Sequence, residues 1–551
     1  MSTSTSTTQG QGIVDHSSLF PTRYYSERLA KSFIFDSCIS LFLFLRFHLM
    51  MDAHKTIVAG VADRVKHFHA RQEPFRLYHG STNSTRHSNR RVDNTVDTSK
   101  LNHVIEVNKD SKAVIVEPNV SMEVLVDATL PLGLVPLVVM EFPAITVGGG
   151  FSGTSGESSS FRYGAFDATV NWIEIVLADG TVTRASKTEQ PDLFWGAASA
   201  FGTLGVVTLL EVQLKEAKEY VELKYRLARG PSESVKIIKE ECKRWENDYV
   251  DGVVYSKDTT VVCAGRMVDE IPISATPRQL NRRKDKWFYL HVEKVRDGLR
   301  MGSVTCVADY IPLKDYLFRY DRGGFWVAKY AFDYFLTPFN RLTRYILDPL
   351  LRARVMYSAG HKSNLFDYYM VQDVGVPYNS VPEFQNWLDK QFRIYPLWIC
   401  PLRVRREDPD SGYGLHAEFA KPGTVELMNF GIWGPLQGNR RDAIRHNRAL
   451  EQKVQDCGGK KWLYAQAYYT EDEFWSHYNK EAYDALRAKY GASYLPNVYD
   501  KVKVDIEGDE KLMKSTARTG WPIRGLRGVY KAVFGGDYLL QKKKDEPLEQ
   551  K

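Results

Sequence analysis

At 551 residues the chain is longer than one hydrophobic core organises, which points to two or more domains. Hydrophobic residues make up 43% and charged residues 26%, a globular balance that excludes a fibrous or wholly disordered chain. The formal net charge of +7 suits an anionic cofactor or membrane surface, but it is too small a basic excess for a nucleic-acid binder.

Residues 1–12, M-S-T-S-T-S-T-T-Q-G-Q-G, are polar and of low complexity, and disorder is expected through about residue 31. They lack the basic start and early apolar run of a signal peptide. Residues 33–51, F-I-F-D-S-C-I-S-L-F-L-F-L-R-F-H-L-M-M, are the most apolar stretch. Their uninterrupted centre, 37–45, would measure only about 13 Å as a helix against roughly 30 Å of hydrocarbon. Including Asp36, Arg46 and His48 gives a marginal span whose charges can snorkel. The expectation is a membrane-anchor helix over 32–54, spanning the bilayer or lying in its interface, with a buried core helix as the alternative.

A first folded region is expected over 55–224. Residues 103–107 and 113–117 read as neighbouring strands across N-K-D-S-K, and Ser121 caps a helix that runs to Leu130 and stops at P-L-G. Residues 134–139 form a further strand. Residues 172–177 and 181–184 pair as a hairpin across A-D-G, Asp192 opens a short helix, and 206–214 form another strand. Strands and helices mix without a βαβ repeat, so the fold class is α+β. An aromatic-rich α+β region follows over 225–505, then a basic tail over 506–551. In that tail Ile523, Leu526, Val529, Tyr530, Val533 and Phe534 fall at helical spacing between Arg524, Arg527 and Lys531. That pattern suits a helix lying on an anionic membrane, and equally one docked on its own domain.

The six cysteines, Cys38, Cys242, Cys263, Cys306, Cys400 and Cys457, show neither CxxC nor zinc-ligand spacing. No metal site is predicted, and a reducing compartment is the better fit. HExxH, GxxxxGK[ST] and GxSxG patterns are absent, which removes zincin, P-loop and serine-hydrolase readings.

The chemistry concentrates at 146–164, T-V-G-G-G-F-S-G-T-S-G-E-S-S-S-F-R-Y-G. Gly148, Gly150 and Gly153 satisfy GxGxxG, yet T-S-G-E-S-S-S follows where a dinucleotide fold opens a helix, so the match is not a Rossmann fingerprint. Backbone that approaches a pyrophosphate needs residues without Cβ, and its N–H groups then become the anion site. A solvated linker shares this composition, but Phe151, Phe161, Tyr163 and Phe166 do not belong in one. Two further small-residue segments, R-L-Y-H-G-S-T-N-S-T-R at 76–86 and D-L-F-W-G-A-A-S-A-F-G-T-L-G-V-V-T at 192–208, support a nucleotide site.

In this order the three segments resemble the flavin-binding domain of the vanillyl-alcohol-oxidase, or PCMH, type. The resemblance implies that FAD is held by Gly80, Ser81 and Thr82, by Thr146, Gly148, Gly149, Gly153, Gly156, Ser158, Tyr163 and Gly164, and by Gly202, Gly205 and Val206. Many members tether FAD through a histidine after the first loop's glycines; here Ser81 follows Gly80, which implies non-covalent FAD. Further segments, among them G-E-S-S-S-F-R-Y-G, V-Q-D-V-G-V-P, I-Y-P-L-W-I-C-P and L-Y-A-Q-A-Y-Y-T-E-D-E-F-W, resemble the Δ24-sterol reductases from about residue 30 to about 505. Asn429 and Gln466 depart from that pattern, which has aspartates at both places.

The resemblance implies NADPH-driven, FAD-mediated saturation of the C24–C25 double bond of a sterol side chain. The expected location is the endoplasmic reticulum membrane, and few cysteines together with a cytosolic nicotinamide supply favour a body facing the cytosol. The olefin is not conjugated to a carbonyl, so protonation at C24 must develop positive charge at C25, and an acid must face the olefin with water excluded. Candidates for that acid are Tyr464, Tyr468, Glu471 and Glu426, with His361 behind them. The competing readings are a FAD-linked oxidoreductase of another isoprenoid or secondary metabolite, which the two amides keep open, and a non-catalytic sterol-binding relative.

Overall fold

The computed structural model describes residues 22–80, 84–86, 90–302, 307–408, 410–504, 506, 521–535 and 540–541. They fall into two units divided between Lys55 and Thr56.

A single helix, Thr22–Arg71, carries the apolar N-terminal segment. The expected span is corrected here: among the described residues no helix is long and apolar enough to cross a membrane. The physical reason is length, since Arg46, His48, Asp52, His54 and Lys55 follow the apolar centre within three turns. Leu41, Phe44, Leu45 and Leu49 are exposed along the helix.

In the second unit the α+β reading holds, and its core is divided between two antiparallel sheets. The first runs in the order Val104–Asn108, Ala113–Val116, Gly205–Glu216, Val170–Leu177, Val182–Ser186. Leu134–Pro136 pairs with the far end of Gly205–Glu216. Ser121 caps the helix Met122–Thr129 as its sequence requires, accepting from the Val124 N–H at 3.4 Å. The glycine-rich stretch, read as a loop, instead forms a helix over Val147–Gly153. Thr146 caps it, and the missing Cβ of Gly150 lets Met140 and Phe166 close on the backbone, where a side chain would meet Met140 Cε at 2.5 Å. The helix stops at Gly153, and no helix opens directly after the third glycine; the next, Ser160–Tyr163, is a single short turn.

The second sheet has eight strands in the order Val307–Pro312, Tyr220–Ala228, Thr259–Val268, Tyr249–Ser256, Leu397–Leu402, Leu427–Pro435, Tyr369–Pro377, Lys460–Lys461. Alternation assigns its faces. Val250, Val254, Ile399, Phe430, Ile432 and Val374 pack under the helices Pro231–Lys243, Val381–Gln391 and Arg440–Asp456. The other face presents Val253, Trp398, Cys400 and Trp433 to the core that both sheets share. After the second sheet the chain returns, and Leu486, Ala492 and Leu495 pack with Val176, Leu204 and Val206 of the first region.

One buried cluster ties the regions together. Arg319 donates from Nη2 to Glu157 Oε1 at 3.1 Å, to Ser158 Oγ at 3.3 Å and to Asp251 Oδ2 at 2.8 Å. The Tyr320 hydroxyl and Trp398 Nε1 also donate to Asp251, at 2.8 and 3.2 Å. Replacing Arg319 with leucine leaves two carboxyls buried without their cation, a loss of about 3–5 kcal/mol. Thermal denaturation should show the transition falling by several degrees, whereas Arg527→Leu on the surface leaves it unchanged.

Candidate functional site

A cavity of about 750 Å³ lies between the glycine-bearing first region and the inner face of the second sheet. Its first wall is backbone. The Gly149 N–H donates to Thr146 Oγ1 at 3.2 Å, and the Gly148 N–H to the Pro118 carbonyl at 2.7 Å. A Cβ at Gly148 would stand 2.6 Å from Pro118 Cβ, and one at Gly205 2.4 Å from the Val176 carbonyl. Only glycine fits at either position. Thr146, Gly148, Gly149, Gly153, Gly156, Tyr163, Gly164, Gly202, Gly205 and Val206 all line the cavity. Gly80 turns the chain with φ of +76° at the edge of the first loop, and Ser81 and Thr82 lie outside the described residues. Ser158 is placed elsewhere, buried under Arg319.

One end of the cavity is cationic. Arg76, His79, Arg86, Arg90 and Lys501 line it, with Asp500 as the nearby carboxylate. Arg86 donates from Nε to Ser84 Oγ at 2.9 Å and from Nη1 to the Lys501 carbonyl at 3.0 Å. Lys501 Nζ donates to the carbonyls of Phe201 and Gly202 at 2.8 and 3.1 Å. Burial and then mutual repulsion lower these cations: Arg86 to about 9, and Lys501 well below the ordinary lysine range. The Nδ1 of His79 and the Nε1 of Trp195, both from cavity-lining residues, are buried without a hydrogen-bond partner among the described residues. Crowded cations, unused donors and backbone without Cβ are the donor set that a dinucleotide's diphosphate neutralises.

Another part of the lining is aromatic and holds two carboxyls, Asp373 and Glu141. Phe142, Phe325, Tyr357, Trp398 and Trp433 belong to it. Trp398 and Trp433 stack with ring centroids 6.1 Å apart, and Phe325 lies 4.3 Å from Trp433. Register brings the polar groups together: Asp373 and Trp398 both face Gly431, and Asn429 faces Gly375 and Cys400. A Cβ at Gly431 would lie 2.3 Å from the Trp433 ring, so its absence makes room for that indole. Tyr464 donates its hydroxyl to Asp373 Oδ2 at 2.6 Å, and Asn429 Nδ2 donates to Asp373 Oδ1 at 2.7 Å. Trp462 Nε1 in turn donates to Asn429 Oδ1 at 2.7 Å, which fixes the amide's orientation. Burial pushes the Asp373 carboxyl up to about 6 against the pull of these donors.

Glu141, which precedes the glycine helix, is half-buried where it lines the same cavity. Burial, and next the neighbouring Glu157, push its carboxyl up to about 8. The cavity therefore carries two carboxyls whose hold on a proton is raised, Glu141 more than Asp373. Of the acids expected from sequence, Tyr464 lines the cavity, but its proton is committed to Asp373. Tyr468 is buried off the cavity between Arg440 and Gln466. Glu426 accepts from the Val404 N–H, and Glu471 is exposed in the first turn of Glu471–Ser476. His361, the weaker candidate, holds the Ser84 carbonyl at 2.6 Å. Glu141 was missed, although a single acid inside V-V-M-E-F, directly before the glycine stretch, is a signal the sequence carries.

The family described as FAD binding domain matches residues 56–186. Delta(24)-sterol reductase of Homo sapiens is 31% identical over 409 residues, covering 73% of this chain and 76% of that protein. Delta(24)-sterol reductase of Arabidopsis thaliana is 29% identical over 439 residues, covering 74% of this chain and 76% of that protein. Cytokinin dehydrogenase 6 of Oryza sativa subsp. japonica is 28% identical over 131 residues, 23% of this chain and 25% of that protein.

The cavity's donor set fits FAD: Thr146, Gly148, Gly149 and the Arg76, Arg86, Arg90 and Lys501 cluster would hold it. A Cβ at Gly149 would meet Thr146 Oγ1 at 2.9 Å, so Gly149→Val displaces the cap and fills the cradle. Purified Gly149→Val protein is expected to lack flavin absorbance while limited proteolysis still yields an intact second sheet.

Proposed function

Because the chain belongs to the Delta(24)-sterol reductase family, we propose that it carries out FAD-dependent, NADPH-driven reduction of the C24–C25 double bond of a sterol side chain. The observation that carries this reading is one cavity that combines backbone without Cβ, a cationic cluster and an aromatic wall carrying the hydrogen-bonded Tyr464, Asp373 and Asn429, with Glu141 in the same lining.

Glu141 donates its proton to C24. Its raised affinity for that proton keeps the acid loaded at neutral pH, where an ordinary glutamate would be empty. The positive charge that develops at C25 is met by the faces of Trp398, Trp433 and Phe325 and by the Asp373 carboxylate. Tyr464 and Asn429 hold Asp373 in its charged form and fix its direction. When bound and reduced by NADPH, FAD would supply the hydride to C25 that completes the addition.

The departure at 429 bears on which group is the acid. An aspartate there would set two carboxyls in direct contact, and the pair would share a proton. Asn429 donates an N–H instead, which leaves Asp373 an acceptor and passes the acid role to Glu141. Gln466 also lines the cavity, and its Nε2 has no partner among the described residues. This unused donor favours a second reading, a side chain or isoprenoid bearing a polar group beside the olefin. Incubation of the purified protein with NADPH and a panel of Δ24 sterols and other isoprenoids, followed by mass spectrometry for a gain of two hydrogens, separates the two readings.

FAD is held without a covalent bond in this reading, since Ser81 follows Gly80 where tethering members carry histidine. The N-terminal apolar segment lies in the membrane interface, at the endoplasmic reticulum with the body in the cytosol.

Acid precipitation is expected to release FAD into the supernatant, and flavin retained in the pellet refutes the non-covalent assignment. The rate should climb as Asp373 loses its proton near pH 6 and fall as Glu141 loses its own near pH 8. Glu141→Gln is expected to lower kcat by about 10²–10⁴-fold while flavin content is kept, with the alkaline fall removed from what activity remains.

A further inference from the structure

We propose that the exposed apolar face formed by the C-terminal helix Ile523–Phe534 and by Arg341–Leu347 seats the protein on an anionic lipid bilayer, beside the aromatic end of the cavity. The claim that this face delivers substrate rests on the sterol reading above; the claim that it binds lipid does not.

The C-terminal helix docks with the reverse of the usual polarity. An amphipathic helix that packs for its own stability turns its apolar stripe inward. Here the glycines are inside. A Cβ at Gly525 would lie 2.5 Å from the Tyr334 ring, and one at Gly528 would lie 2.7 Å from Ser363 Cβ and 2.9 Å from the Ala359 carbonyl. Polar bonds hold the contact: Arg524 donates to the Ser363 and Asn364 carbonyls at 2.5 and 3.0 Å, and Lys362 Nζ to the Lys531 carbonyl at 2.5 Å. Ile523, Leu526, Tyr530, Val533 and Phe534 are left facing outward, from 47% exposed at Val533 to 72% at Phe534.

Neighbouring segments add further exposed apolar side chains. Trp521, 56% exposed, donates from Nε1 to the Tyr334 carbonyl at 2.5 Å, and Leu336 two residues on is 75% exposed. Arg341–Leu347 then presents Leu342, Tyr345 and Ile346 outward and buries no side chain fully. Single exposed apolar residues need no explanation, but a set drawn from two helices and their connector does.

Charge identifies the occupant. Neither helix contains an acidic residue, while Arg341, Arg344, Arg527 and Lys531 accompany the apolar side chains; Asp333 is the exposed carboxylate on the adjoining Val327–Tyr334. Two copies meeting through this face about a two-fold axis would bring like cations together. A bilayer offers hydrocarbon to the first set and lipid phosphates to the second. Position supports the same partner. The helix Ala353–Ser363 carries the C-terminal helix through Ala359 and Ser363, while its Ala353, Met356 and Tyr357 line the cavity. One helix therefore touches both the C-terminal helix and the cavity lining.

The test uses the full chain carrying Leu526→Glu, Tyr530→Glu and Phe534→Glu together, with Arg527→Glu/Lys531→Glu as a separate variant. Binding is read by co-sedimentation with phosphatidylcholine vesicles, with and without phosphatidylserine. The apolar triple variant should lose at least about tenfold in vesicle affinity on both lipids, and the charge variant should lose only the phosphatidylserine-dependent part. Turnover of sterol embedded in vesicles should fall with affinity, while flavin content and turnover of detergent-dispersed sterol stay within about twofold of the parent. Unchanged affinity in the triple variant overturns the proposal. A dimer-to-monomer shift at unchanged vesicle affinity overturns it in favour of a self-interface. Should the parent chain reduce no sterol, the reaction assigned above fails while the vesicle arm still decides the surface.

Discussion

A guanidinium buried between two carboxyls holds this architecture together. Arg319 reaches Glu157 and Ser158 on the glycine-rich stretch and Asp251 on the second sheet with one Nη2 group. The Val250 N–H adds a backbone bond to the Ser158 carbonyl at 2.8 Å. The wall that cradles a dinucleotide and the sheet that shapes an aromatic cavity are thus tied at one point. A buried ion pair is weak evidence for stability because desolvation offsets its attraction. Its value here is positional, since it fixes the spacing across which a cofactor must face a substrate. The same cluster acts on the chemistry: Glu157 stands close enough to Glu141 to raise its hold on a proton, second only to burial.

The second sheet explains why the reacting groups converge. Its period of two sends one set of side chains to three covering helices and the other to the cavity, so register alone brings Asp373, Asn429, Trp398 and Trp433 onto one face. Gly431 lies in register between Trp398 and Asp373, and its missing side chain leaves space for the Trp433 ring. Tyr464 and Asn429 donate to Asp373 and hold its shift to a moderate one, whereas burial and the neighbouring Glu157 give Glu141 the larger one.

The sequence revealed those parts of the site that are contiguous in the chain. Thr146, Gly148 and Gly149 lie within one turn of one another, and their composition alone announces close backbone approach. The strands flanking them were legible from alternation and turn residues, usually within two residues of their ends. Arg86 and Lys501, separated by 415 positions, carry no local mark of their meeting. Arg319 and Asp251 were equally silent, each being an ordinary charged residue until burial makes it otherwise. For the N-terminal segment the sequence already shows the limit: it is rich in Phe and Leu, but the unbroken run 37–45 is only about 13 Å long as a helix, and no described helix is long and apolar enough to span a bilayer. The tail's periodicity was read correctly, but periodicity identifies a stripe and not the side it faces. Gly525 and Gly528 set that orientation, and their small size shows its purpose only once Tyr334 and Ser363 are beside them.

An unconjugated alkene is a poor base, and a carboxylic acid protonates it only where the resulting charge is stabilised and water cannot compete for the proton. In the proposed reaction the bound sterol would supply both conditions. Partial burial already raises Glu141's hold on its proton at rest, and excluding the remaining water would strengthen every interaction between the developing cation and the aromatic faces and carboxylate around it. The acid is therefore weakened in its resting state by the same medium that stabilises the charge-separated state, so the net barrier depends on how well the enclosure is completed. A sterol that fills the aromatic end finishes the enclosure with its own hydrocarbon. Catalysis then follows occupancy, because the proton becomes transferable only when the side chain that receives it has displaced the water that would otherwise accept it.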